Sequence, residues 1–197
     1  SLVGSEMCIR DRMYSKDISK KVHSSYVLKA QKGQFTGCLA PFGYRKDPEN
    51  KNRLLVDEET APVVRLIFGY ALDGHGPNYI RRRLEEEKHP CPTWWNRKRG
   101  HRNIRTKWEK KDPENGKYVW DFTVIKEILM NPVYTGAIAS QKTEYRFKIG
   151  TIRDKKPEDW IIVEGTHEPL VDKKSFAIVQ EKLKSRQRPG QSGEINL

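Results

Sequence analysis

The side chains able to do acid–base or metal chemistry are few here, and their spacing suits none of it. Two acidic clusters stand out, Asp57-Glu58-Glu59 and Glu85-Glu86-Glu87. Both fit helix termini or exposed helix faces, where the helix dipole or water favours carboxylates, better than a metal-dependent nuclease centre. His89, Cys91 and His101 match no standard zinc spacing. His167 precedes Glu168-Pro169 in a turn and reads as structural rather than as a general base. Three cysteines, Cys8, Cys38 and Cys91, are an odd set that argues against a disulfide framework and for a reducing, cytoplasmic setting. No glycine-rich phosphate loop, Ser-His-Asp set or Cys-His set has motif support, so no catalytic residue, metal or cofactor is expected. Cationic chemistry is abundant instead. There are 38 Lys and Arg against 26 Asp and Glu, a formal net charge of +12 and a pI of about 9.6. Bunched positive charge favours a polyanionic partner, most simply nucleic acid. No apolar run is long enough to cross a bilayer, so no membrane partner is expected.

The elements that must position these cations follow from apolar periodicity. Residues 1–12 resemble a translated sequencing-adapter artefact and are set aside. Tyr14 to Lys32 reads as a helix with Ile18, Val22, Tyr26 and Ala30 in one row, and Lys20, Lys21, Lys29 and Lys32 adding a positive field. Pro41-Phe42-Gly43-Tyr44-Arg45 is a turn. Leu54 to Val56 is a short apolar run. Asp57 then stands as the N-cap of a helix with Ala61, Val64, Ile67, Phe68, Ala71 and Leu72 on its inner face, stopped by Gly74. Gly76-Pro77 opens a second helix with Tyr79, Ile80 and Leu84 facing inward and Arg81, Arg82 and Arg83 facing out or toward a ligand. A tight glycine turn between two helices is the outline of a helix-turn-helix unit.

Residues 89–120 form a long connection in which Trp94, Trp95 and Trp108 interleave with Arg97, Arg99, Arg102 and Arg105. Cations neutralise phosphates, and aromatics anchor such a loop or pack on sugars. Asp121 caps a third helix reaching Met130. Val124, Ile125, Ile128 and Leu129 supply its buried face, and Phe122, Thr123 and Lys126 point elsewhere. Asn131-Pro132 stops it. Strands are expected at residues 134–140 and 144–149, joined by Gln141-Lys142-Thr143 into a wing-like ribbon. Arg153 to Glu158 reads as a polar linker, Trp160 to Val163 as a strand, and Asp172 caps a last helix carrying Phe176, Val179 and Leu183.

Five of these pieces in this order, Asp17 to Val22, Pro41-Phe42-Gly43-Tyr44, Leu54 to Phe68, Trp120 to Gly136 and His167 to Phe176, resemble the large serine recombinases, also called serine integrases. The resemblance implies an α+β fold: a small helix-turn-helix-like helical domain with a β-ribbon, then a strand-plus-helix segment leading toward a zinc ribbon that is missing here. It divides the chain at 13–35 (end of a connector helix), 36–152 (recombinase DNA-binding domain), 153–158 (linker) and 159–197 (start of the zinc-ribbon domain). It implies a parent enzyme whose serine attacks a DNA phosphodiester, in a catalytic domain absent here. Ser15, Ser19, Ser24 and Ser25 are not that nucleophile, and the chain is expected to be inert alone. The parent is expected to bind each attachment site as a dimer and to form a tetramer in synapsis. The resemblance makes the helix after Asp121 the major-groove reader, with Lys126 and Thr123 at base edges and Phe122 at a thymine methyl. Lys20, Lys21, Lys29, Lys32, Arg45, Arg81, Arg82, Arg97, Arg99, Arg102 and Arg105 would hold backbone. The alternatives are a stand-alone winged-helix regulator, a nuclease using the acidic clusters, and an RNA-binding protein.

Overall fold

The computed structural model describes residues 2–101, 115–146 and 151–186. It combines helices with small two-stranded antiparallel pairings, the mixed content expected. The chain divides into two compact units. The first comprises Ser1–Ala40, Arg45–Leu55 and Gly136–Glu168; the second comprises Pro41–Tyr44, Val56–Thr135 and Pro169–Leu197.

In the first unit α1 spans Leu2–Gln31, so the helix runs through the stretch set aside at the start of the sequence. Gly33, at φ +65°, closes it: the Gly33 and Gln34 amides donate to the carbonyls of Ala30 and Lys29, the pattern in which a left-handed glycine satisfies the last helical acceptors. Of the apolar row on this helix, Ile18, Val22 and Tyr26 are 45–49% exposed, and Ala30 is buried. Strands β1 (Tyr44–Lys46) and β2 (Leu54–Val56) pair with each other. The wing-like ribbon is corrected. β3 is Ile138–Ser140, and it does not pair with the strand that follows it. β4 (Thr143–Arg146) pairs with β5 (Thr151–Asp154), which takes in the first two residues of the expected linker. β3 pairs instead with β6 (Ile161–Val163), in the register Ile138↔Val163 and Ser140↔Ile161. This sheet packs under the end of α1.

The second unit is helical. α2 is Ala61–Leu72, α3 Pro77–Glu86, α4 Pro92–Lys98, α5 Phe122–Met130 and α6 Lys173–Ser185. Its core is the set the periodicity selects: Val64, Ile67, Phe68, Ile80, Leu84, Ile125, Leu129 and Val179, all at most 2% exposed. Apolar burial at this spacing is the main driving force for packing α2 against α3, α5 and α6. Tyr79 is a further correction. It is 42% exposed and stacks on the His75 ring at 3.9 Å rather than turning inward. The N-cap of α2 is Thr60, not Asp57; Asp57 lies one turn earlier and is itself buried. Asn115–Tyr118 is a 3-10 turn leading to a buried Trp120.

Three segments distant in sequence meet at Tyr134. Its ring stacks on Tyr44 at 6.0 Å and meets the edge of Phe68 at 5.6 Å. Its hydroxyl donates to the Phe42 carbonyl at 2.9 Å, and its own carbonyl accepts from the amides of Leu170 and Val171, each at 3.0 Å. Gly43 makes the close approach possible. It sits at φ +92°, and a Cβ there would lie 2.7 Å from Val64 Cγ2 and 2.9 Å from Leu170 Cδ1. Gly43→Ala is therefore expected to destabilise by roughly 2 kcal/mol in urea denaturation. Gly69→Ala, inside α2 with nothing within 4 Å of the new methyl, is expected to stabilise by about 0.5–1 kcal/mol. Equal effects of the two changes would refute this packing.

Candidate nucleic-acid interface

α5 exists because Ile125, Ile128 and Leu129 recur at helical spacing and because Asp121 caps its first turn. The Asp121 carboxylate accepts from the Thr123 amide at 2.9 Å and from the Thr123 hydroxyl at 2.6 Å. Both ends of the helix are pinned. Just before it, Trp120 is 2% exposed, its indole N–H donates to the His89 carbonyl at 2.8 Å, and its amide donates to Glu85 at 3.1 Å. Phe42 meets the Trp120 ring edge-on at 5.7 Å. At the far end, Gln180 Nε2 donates to the Leu129 carbonyl at 2.6 Å, and the Asn131 side chain accepts from the Val133 amide at 3.3 Å. The opposite face is open. Phe122, Thr123, Lys126, Glu127 and Met130 are exposed, and Lys126 makes no ion pair among the described residues. A helix fixed at both ends with an outward row of aromatic, hydroxyl and ammonium groups can present those groups to base edges without reorganising.

The structure sorts the remaining cations by partner. Lys20, Lys21, Lys29 and Lys32 lie exposed at the α1 end of the first unit, and Arg45 is exposed on β1. In the second unit Arg82 is exposed on α3. Arg81 is not free: its guanidinium reaches both Glu85 oxygens at 2.9 Å. Arg97 lies in the last turn of α4. Arg102 and Arg105 lie outside the described residues. The acidic clusters are used structurally, Glu85 on Arg81 and Trp120, and Glu87 on Arg83 and on the Tyr70 hydroxyl at 2.8 Å. Among the described residues no group of three His, Cys, Asp or Glu could hold a metal ion, and no helix is long and apolar enough to cross a membrane. Burial pushes the Cys91 thiol up, away from the reactive thiolate.

Sequence reasoning missed the arrangement around α4. Arg99 caps this helix and donates to Asp57 at 2.5 Å and to Glu59 at 3.2 Å. Asp57 is 5% exposed and also accepts from the Thr60 hydroxyl at 2.5 Å. The base of the long connection is closed by the Cys91 amide donating to the Lys117 carbonyl at 2.8 Å. Trp94 and Trp95 pack edge to face at 5.1 Å. The one sequence signal for this pairing is an Arg with acids 40 and 42 residues away, a separation that no local pattern reports.

With the fold and this geometry in place, comparison with known proteins fixes the class. The Recombinase family matches residues 58–186. The chain belongs to that family. It is 39% identical over 80 residues to the uncharacterized protein YefB of Bacillus subtilis (strain 168), a match covering 40% of this chain and 26% of YefB. It shares its fold with a chain from the crystal structure of an LSR-DNA complex, at a TM-score of 0.54 and 17% identity over 84% of this chain and 42% of that one. A chain from work on the sequence requirements of the Listeria innocua prophage attP site is similar at a TM-score of 0.49 and 18% identity, over 84% of this chain and 51% of that one. The chain thus spans about a quarter of YefB and under half of the LSR-DNA complex chain.

Two outcomes follow for the site. Burial pushes the Asp57 carboxyl up, but the Thr60 hydroxyl and the Arg99 guanidinium outweigh it and hold the carboxyl below its ordinary value. A depressed folded value means that this contribution is complete above the unfolded carboxylate's pKa of about 3.9 and is lost as pH falls through the lower folded value. Asp57→Asn is expected to cost about 1–2 kcal/mol at neutral pH and to flatten the acid limb of the stability–pH curve, read by urea denaturation across pH. Asp121→Ala is expected to cost about 1 kcal/mol, the usual worth of an N-cap, in the same measurement.

Proposed function

We propose that this chain is the duplex-DNA-binding segment of a site-specific serine recombinase that integrates or excises mobile DNA, with α5 as the helix that reads the site. The observation that carries the reading is the exposed row of Phe122, Thr123 and Lys126 on a helix whose other face and both ends are locked. Membership of the Recombinase family supports it, and so does a fold shared with a chain from a DNA complex. In this reading Lys126 and Thr123 meet base edges, Phe122 meets a thymine methyl, and the exposed cations of α1, β1 and α3 neutralise phosphates. The Thr123 hydroxyl donates to Asp121, which leaves its oxygen lone pairs to accept from a base amino group. The segment itself needs no cofactor. Strand cleavage belongs to a separate catalytic domain of the parent enzyme, which acts as a dimer on each attachment site and a tetramer in synapsis.

The test starts from selection of bound duplexes out of a random library, followed by competition between the preferred and random sequences. Lys126→Ala is expected to erode the preference by about 1–3 kcal/mol, whereas Arg82→Ala weakens preferred and random duplexes alike. If Lys126→Ala weakens both alike, α5 is not the reader.

A further inference from the structure

The α4 segment carries a cluster that the reading helix does not use. Lys98 Nζ lies 4.7 Å from the Trp95 ring centroid and 5.4 Å from that of Trp94. Lys117 Nζ lies 4.5 Å from the Trp94 centroid and 5.2 Å from that of Tyr118. Two ammonium groups are therefore gathered on one indole, although they come from opposite ends of the long connection. A ring quadrupole attracts a cation without neutralising it, so each keeps its full charge. Neither lysine has a carboxylate partner among the described residues. Two like charges resting on one ring repel at short range, and an anion that both can reach relieves that repulsion. Arg99, the next residue along, differs: two carboxylates occupy its guanidinium, so it has little charge left to exchange for counterions.

We propose that Lys98 and Lys117, gathered on Trp94, clamp a phosphate of duplex DNA, and that the Asp57–Arg99 pair is the strut that fixes α4 so that the clamp stays formed. The proposal rests on the duplex-binding reading. Its parts have separate roles. Lys98 and Lys117 touch the backbone. Arg99 is a positioning residue that ties the end of α4 to the turn before α2 through Asp57, Glu59 and its own packing on Trp95 at 5.3 Å. The Cys91–Lys117 hydrogen bond sets the backbone that carries the second lysine. Such a contact positions the protein on the duplex and carries no sequence information.

The test is the salt dependence of binding of the full chain to mixed-sequence duplex DNA. Each phosphate contact contributes roughly 0.9 to the slope of log affinity against log salt. Lys98→Gln with Lys117→Gln is expected to flatten the slope by about that amount, the worth of the one phosphate they share, and Lys98→Arg with Lys117→Arg to keep it. Asp57→Asn is expected to weaken binding several-fold at every salt concentration, although removing a negative charge from the protein would by itself tighten it. A steep wild-type slope that the glutamine variant leaves unchanged overturns the clamp and leaves duplex binding standing. Tighter binding by Asp57→Asn overturns the strut. A wild-type chain with no salt-dependent duplex binding overturns both the clamp and the reading beneath it.

Discussion

The buried tyrosine at position 134 is the constraint on which the helical unit depends. Its hydroxyl has left water and must find an acceptor, which the Phe42 carbonyl supplies. Burial, with the neighbouring Tyr44 phenol, drives its ionisation far above the ordinary tyrosine range, so it stays a neutral donor. Its carbonyl takes the amides of Leu170 and Val171. One residue thereby joins the turn at Pro41–Tyr44, the end of α5 and the lead into α6. Loss of any of these contacts leaves a buried polar group without a partner, which costs more than a hydrogen bond contributes. The turn at Pro41–Tyr44, the segment Pro132–Thr135 and the Leu170–Val171 backbone thus meet at one node.

From that node the logic runs outward to α5. The helix begins just after a buried tryptophan bonded to α3 and ends at Met130, where Asn131 hands the chain to Val133 and Tyr134. The inward face is apolar, and the outward side chains of Phe122, Thr123 and Lys126 are exposed, with the Thr123 hydroxyl held by Asp121. Preorganisation of this kind lowers the ordering cost of binding, because few side chains and no backbone need to be fixed on contact. α4 is held differently, by an ion pair to a buried carboxylate and by cations resting on indole rings.

Local patterns in the sequence were enough to find α2, α3, α5 and α6, the Asp121 and Asp172 caps, and the outward row of α5. Each is set by spacing within a few residues, where i, i+3 and i+4 positions share a face. What escaped was non-local. Ile138 pairs with Val163, not with its nearer neighbour, because short apolar strands carry no label for their partner. Ile18, Val22 and Tyr26 show a regular row and are 45–49% exposed, because periodicity reports amphipathy rather than burial. Tyr79 satisfies its ring by stacking on His75 at the surface. Arg99 looked like any other cation of a basic stretch, and only the distant Asp57 gives it a different role.

The central claim is that the outward face of α5 meets duplex DNA. Covalent footprinting of lysines by acylation and mass spectrometry, with and without a selected duplex, tests it directly. The account predicts that Lys126, exposed and without an ion pair among the described residues in the free chain, becomes protected when DNA is bound. A Lys126 that reacts equally in the free and the bound chain would contradict it.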